Sequence, residues 1–433
     1  MDFGWMRDAE AVRFPSLTRD IDTDVLIIGG GIAGILCAYK LKEAGVGCVL
    51  AEAEGICRKI TKNTTAKITF AHGLVYDKLT DRYGIDKARM YLCAQRKAEE
   101  EYARLCSSID CDYESCDAYV YSLDDGEKIE REISAYKRLG VSAESVDELR
   151  LPIRAAGALR VRGQGQFHPL KFLYAIARDL PIYEDTKLTE FQPYRVKTTG
   201  GSITYKKLIV ATHFPIFNRH GAFFLKMYQH RSYVIALKGA GSVDGMYVDE
   251  SEAGMSFRNY GELLLLGGGG HRTGKQGGGW RELERFAEMH YKGADIVGKW
   301  ATQDCMTLDG IPYVGQYSAN TPDVYVATGF NKWGMTNAMA AADILCDLVR
   351  GKTNENAPVF SPSRSILHPQ LALNAIESVI GLLTPTVPRC THLGCALKYN
   401  RAEHTWDCSC HGSRFSESGE LLDNPATADK RNI

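Results

Sequence analysis

The chain has 433 residues, too many for one simple core, so two or three domains are expected. It is 45% hydrophobic and 24% charged, a globular makeup that excludes a disordered chain. A formal net charge of -1 gives no ground for nucleic-acid or anionic-membrane partners.

The opening stretch "MDFGWMRDAEAVRFPSL" carries acids and no apolar core, so it does not read as a secretory signal. No window holds ~18 consecutive apolar residues, so no transmembrane helix is expected. A cytoplasmic location is the expectation. Nine of the thirteen cysteines are scattered from Cys37 to Cys346 and read as mostly buried thiols.

In chain order, "DVLII" (24–28) is an apolar run opening into "GGGIAG". "ILCAYKLKEAG" follows with apolar positions at helical spacing and a Gly stop. "VGCVLAEAE" then reads as a second buried strand, completing a β-turn-α-β unit. Residues 85–150, rich in Glu, Lys, Arg and Ala, read as an inserted helical layer. From 151 to 213 the pattern turns to strands, and two β-rich pieces follow, "RSYVIALKG" and "ELLLLGGGG". "MTNAMAAADILCDLVR" (335–350) is an amphipathic helix ended by Gly351. "GKTNENAPVFSPSRS" is a linker by composition.

Gly29, Gly31 and Gly34 form G-x-G-x-x-G. The first allows a tight turn, the second lets backbone approach a pyrophosphate, and the third lets helix pack on strand. The helix from Ile32 directs its N–H groups toward phosphate. Glu52 lies 18 residues after Gly34, close to the ~20 expected of a ribose-binding acid, and an acid suits an unphosphorylated ribose. Spacing alone leaves NAD and FAD open, and a plain glycine turn remains the bland reading.

The stretch "DVLIIGGGIAGILCAYKLKEAGVGCVLAEA" resembles the FAD-binding start of the glycine/D-amino acid oxidase family. "LIVATHFPI" (208–216), "DGIPYVGQ" (309–316) and "VYVATGFNKWGMTNAMAAADIL" (324–345) resemble later flavin segments of such proteins. The resemblance implies an α/β fold, with a doubly wound, Rossmann-like FAD-binding domain interleaved with an α+β substrate domain. It places the FAD domain at 20–84, 155–215 and 300–352, and the substrate domain at 85–154 and 216–299. Residues 353–388 are then a linker and helix. The implied cofactor contacts are Gly29, Gly31, Ile32, Ala33, Gly34 and Glu52; Thr61, Thr64, Thr65 and Ala66 in "TKNTTAKIT"; and Gly329, Gly334, Met335 and Thr336 in "ATGFNKWGMT". His168, His213, His271 and Arg272 are candidate catalytic residues, each with a structural role as its competing reading. An amine-oxidising flavoenzyme needs no obligatory side-chain base when hydride passes to the flavin, so the lack of an acid-base dyad does not exclude catalysis.

The tail "CTHLGCALKYNRAEHTWDCSCH" (390–411) holds four cysteines and three histidines. Zinc is one reading, although C-x-H is a poor match to usual fingers. A disulfide knot is another. The third is a Rieske [2Fe-2S] centre, in which two thiolates hold one iron and two imidazoles the other. "CTHLGC" and "CSCHGSRF" closely resemble the ligand loops of Rieske proteins of cytochrome bc-type complexes. By that resemblance Cys390 and Cys408 bind one iron, His392 and His411 bind the other, and Cys395 and Cys410 form the bridging disulfide. His404 has no counterpart and reads as a surface residue, and Trp406 is expected under the second loop.

The match departs in one respect. "SILHPQLALNAIESVIGLLTPTVP" (365–388) reads as a helix with a Pro-rich lead-in, where strands are expected before the first ligand loop. The all-β module at 389–433 is therefore shortened, which leaves cluster assembly open. The expected function is FAD-dependent oxidation of a small amine or amino-acid-like substrate by hydride transfer. Electrons would pass to the cluster and then to an outside acceptor. The alternatives are an FAD-binding redox sensor or non-catalytic protein with a degenerate module, and an oxidase that reduces O2 directly.

Overall fold

A computed structural model describes residues 4–217, 220–252, 254–385 and 388–430. The apolar run and glycine turn do build a βαβ corner. Strand Ile21–Ile28 leads into helix Ile32–Glu43, and strand Cys48–Ala51 pairs parallel to the first. These strands are the middle of a sheet in the order 313–316, 324–328, 202–210, 21–28, 48–51, 182–183. All its neighbours along this path are parallel except the edge pair Tyr313–Gln316 and Val324–Thr328. Val25 to Ile28 are all buried, as a parallel strand covered on both faces requires. A hairpin, Leu188–Gln192 with Arg195–Thr198, extends from strand Ser202–Val210. Helix Gly334–Val349 packs on Ile32–Glu43. Its run of Ala338, Ala340, Ala341 and Ala342 is fully buried and lets the two helix backbones come close.

The second sheet runs in the order 295–307, 227–238, 263–272, 256–260, 246–249, 114–122, 157–166, 67–68. It is antiparallel except where Met246–Asp249 meets Glu114–Ser122. Strand pairing therefore assigns Gly157–Gln166, which lies within the 155–215 piece, to this sheet.

Two elements differ from the sequence expectation. Strand Glu114–Ser122 divides the stretch read as helical, between helices Ile85–Cys106 and Gly126–Arg138. Its last three residues, Val120 to Ser122, are buried, so alternation is lost where it would have been most readable. Helix Pro169–Ala177 interrupts the strand-rich stretch, started by Pro169 in its first turn and by His168 as its cap.

The polar linker is also no free tether. It contains helix Ala357–Phe360, whose Val359 and Phe360 are buried. Arg364 clamps Asp309 through Nε–Oδ2 (2.7 Å) and Nη2–Oδ1 (2.8 Å) contacts. Helix Pro369–Leu383 follows, as expected, and then an antiparallel sheet of four short strands: 397–400, 405–408, 414–416 and 421–423.

Candidate functional site

At the glycine corner Gly29 has φ +108°, and a Cβ there would lie 2.6 Å from the Ala211 carbonyl oxygen. A Cβ on Gly34 would lie 1.9 Å from the Gly29 oxygen, so helix and turn meet backbone to backbone. Gly31, the N-cap, supplies no side-chain acceptor, and the Ile32 N–H reaches only the Thr61 hydroxyl (3.1 Å). Glu52 accepts from the backbone N–H of Gly30 (2.6 Å) and Glu54 (2.9 Å). Desolvation raises its carboxyl above the ordinary range, against the pull of these two bonds.

The loop carrying Thr61, Thr64 and Thr65 is clamped from outside the corner. Trp300 Nε1 donates to the Asn63 carbonyl (2.9 Å), and Trp5 Nε1 to that of Thr64 (3.0 Å). The buried Arg258 donates to the carbonyls of Thr65 and Ala66, both at 2.8 Å. Ala66 is held at φ +54°, a strained position for a residue with a Cβ.

These residues open on one cavity of about 1240 Å³. Gly29, Gly31, Ile32, Ala33, Glu52, Thr61, Thr64, Thr65, Gly329, Gly334 and Met335 line it. Gly34 and Ala66 sit behind its wall. The buried Thr336 donates its hydroxyl to the Thr69 carbonyl (3.1 Å). The phosphate-binding turn, the acid and the uncapped helix end fit an FAD dinucleotide.

Apart from Lys67, which stands in "TKNTTAKIT" among the candidate flavin contacts, the lining residues that follow went unread in the sequence. His72 stacks on Trp333 (ring centroids 4.7 Å) and reaches the Thr336 hydroxyl (2.9 Å). Asn331 and Lys332 both have positive φ in the turn before helix Gly334–Val349. Lys332 Nζ donates to the Glu252 carbonyl (2.6 Å), and Lys67 Nζ to the Thr65 hydroxyl (3.1 Å). Among the described residues neither ammonium has a carboxylate within 4.0 Å. Desolvation, reinforced by Arg258, pulls Lys67 down to about 7. Asp304 and Glu252 line the same space. None of these carries a motif; only the fold gathers them.

Of the four catalytic candidates, His213 alone lines the cavity. It has φ +65°, and its Nε2 lies 3.1 Å from Gln229 Oε1. His168 caps helix Pro169–Ala177, its Nδ1 accepting from the Lys171 N–H (3.1 Å), with Trp5 and Tyr260 against its ring. His271 lies 3.0 Å from the Tyr233 hydroxyl. Arg272 points the other way, at the second cysteine-histidine loop.

In the tail module Cys390, Cys408 and His411 are buried, and the His392 and His411 rings lie 4.9 Å apart. Both ring nitrogens of His411 are buried without a hydrogen-bond partner. An imidazole so placed suits a metal ligand. Neighbouring thiols, Cys390 first, push the Cys408 sulfur down toward thiolate, while the same contact pushes Cys390 up. The sulfurs of Cys395, Cys408 and Cys410 lie within 4.8 Å of one another, and Cys395 and Cys410 are free thiols here. His404 is exposed and touches Tyr399 (3.0 Å). Trp406 packs on the same Tyr399 (ring centroids 5.2 Å). The donor set of two thiolates and two imidazoles fits a Rieske cluster.

The flavin body supplies much of what the short module lacks. Glu403 is pinned by Arg231 and by Arg414 (2.8 Å), and Arg414 also holds Asp407 (3.1 Å) and Asp423 (2.9 Å). Gln303 Nε2 donates to the Gly412 carbonyl (2.9 Å). Asn424 Nδ2 donates to the carbonyls of Thr212 (2.5 Å) and Phe214 (2.9 Å). The Phe214 ring stands 6.3 Å from that of His392, and the Phe224 ring 6.0 Å from that of His411.

Fold and site define a flavin-dependent oxidoreductase carrying a Rieske-type iron-sulfur module. The profile of the FAD dependent oxidoreductase family (DAO) matches residues 24–348, and that of the Rieske [2Fe-2S] domain matches 379–432. YhfW of Bacillus subtilis (strain 168), named for a Rieske 2Fe-2S iron-sulfur protein, is 33% identical over 492 aligned residues, spanning 99% of this chain and 97% of its own. The gamma-glutamylputrescine oxidoreductase of Escherichia coli (strain K12) is 24% identical, over 78% of this chain and 86% of its own. The glycine oxidase of Geobacillus kaustophilus superposes with a TM-score of 0.66 at 19% identity, over 79% of this chain and 99% of its own, a likeness of fold. The chain belongs to the FAD dependent oxidoreductase family, with FAD and a [2Fe-2S] cluster as its cofactors. No helix among the described residues is long and apolar enough to cross a membrane.

Proposed function

We propose that this oxidoreductase oxidises a small amine that also bears a carboxylate, and passes the electrons to its own Rieske centre. One observation carries the second part: the cavity lined by the glycine corner is also lined by Leu421, Asp423, Asn424 and Ala426 of the tail module. FAD, held at the glycine corner, would supply two-electron oxidation of carbon, and a cluster held by Cys390, His392, Cys408 and His411 would carry the electrons one at a time to an outside acceptor. The protein's own residues bind and orient. Lys67 and Lys332 offer positive charge to a carboxylate, and Asp304 and Glu252 offer negative charge to an ammonium. Tyr228, donating to Glu252 Oε1 (3.0 Å), fixes that acid's direction. The names of the glycine oxidase and the gamma-glutamylputrescine oxidoreductase support an amine-bearing substrate.

Anaerobic mixing of the purified protein with single amino acids and amines tests this reading. The expected result is bleaching of the flavin band by a carboxylate-bearing amine, followed by the EPR signal of a reduced mixed His/Cys cluster. A flavin that stays oxidised across the set would refute it.

A further inference from the structure

The shortened module poses a structural problem. Its second ligand loop, between Cys408 and His411, needs rigid support that four short strands do not supply. The strand Leu263–Arg272 reaches this loop at its end. Arg272 Nε donates to the Ser409 carbonyl (3.2 Å) and Nη2 to that of Cys410 (3.3 Å), the two residues between the ligands. Its third arm, Nη1, holds Asn374 Oδ1 (2.9 Å) on helix Pro369–Leu383. The guanidinium also lies 4.9 Å from the ring centroid of Tyr228, which lines the flavin cavity. Two residues on, Gly274 meets the loop backbone. A Cβ there would come within 2.6 Å of Ser409 N.

We propose that Arg272 is a positioning residue for the iron-sulfur centre, fastening the second ligand loop to the flavin body and placing a positive charge beside the cluster. This goes beyond the proposed substrate and rests on that reading only for the cluster itself. The geometry separates two effects. The planar fork spans two consecutive carbonyls and a side-chain amide, which fixes the loop in ligand-bearing shape. The charge has no carboxylate within 4.0 Å among the described residues. Offset only in part by Glu377, the charge favours the reduced, more negative cluster.

The test uses the full chain, Arg272→Gln and Arg272→Lys, none of them given substrate. Iron-to-flavin ratio, EPR of the dithionite-reduced protein and a potentiometric midpoint are measured on each. Arg272→Gln is expected to lower the midpoint and change the EPR line shape, or to lose iron while flavin stays full. Arg272→Lys is expected to restore the midpoint or the iron, in part, because it keeps the charge. Wild-type iron, EPR and midpoint in both variants would overturn the proposal. So would parallel loss of flavin and iron, which marks a residue serving the whole fold. A wild-type protein without a Rieske signal would instead overturn the electron-transfer reading, so the two failures are distinguishable.

Discussion

At the scale of single residues, the glycine corner was legible because close backbone approach demands glycine. Gly34 is the clearest case, since a methyl there points at a carbonyl that has nowhere to move. Gly34→Ala is expected to cost about 1–3 kcal/mol of stability by overpacking and to weaken FAD retention. Thermal melts and flavin content of the purified variant check it. His168 looked like chemistry in the sequence and is a helix cap in the structure. Capping uses the neutral ring's Nδ1 lone pair, and burial holds its pKa at about 4, down from 6.5. Between these values the unfolded chain binds a proton that the native chain refuses, so this contribution is present above pH 6.5 and fades as pH falls toward 4. His168→Asn keeps an acceptor at the cap without the titration. Its melting temperature is expected to fall less than wild type between pH 7 and 5; equal falls would contradict the assignment. Lys332 and Asp304 were illegible because nothing local marks them; the positive φ turn and the second sheet bring them to the cavity.

At the scale of elements, the ligand spacing of the tail was readable and its support was not. The sequence shows too few strands for a free-standing module. The answer lies in residues some 100 to 200 positions upstream, such as Arg231, Gln303 and Thr212, which carry no motif of their own. The Arg231–Glu403–Arg414 cluster is the strongest of these joints because all three side chains are at most 10% exposed. Removing the shared acid leaves the buried Arg231 without its carboxylate, while Arg414 keeps Asp407 and Asp423, a loss of about 3–5 kcal/mol for a broken buried pair. Glu403→Gln is expected to keep its FAD and lose iron on gel filtration, read as a fall in the iron-to-flavin ratio. An unchanged ratio would show that the module holds its cluster without the flavin body. The strand Glu114–Ser122 and helix Pro169–Ala177 escaped the sequence for a different reason. The strand is buried only toward its end, the helix is nine residues and mostly buried, and each lies in a stretch dominated by the opposite pattern.

At the scale of the whole molecule, two modules share one cavity. The first sheet supplies the dinucleotide corner, the second adds Lys67, Asp249 and Asp304 to the wall, and the tail closes one side with Leu421 to Asn424. Thr212 and His213 line that cavity, and Phe214, next in the chain, faces the ring of His392. The segment Thr212–Phe214 thus links the cavity wall to a ring beside a candidate cluster ligand. Light-driven reduction of the bound flavin, without substrate or O2, tests this arrangement most directly. Flavin bleaching is expected to be followed by a Rieske EPR signal of low average g in the same sample. Fully bleached flavin beside a cluster that stays oxidised, yet is reducible by dithionite, would contradict it.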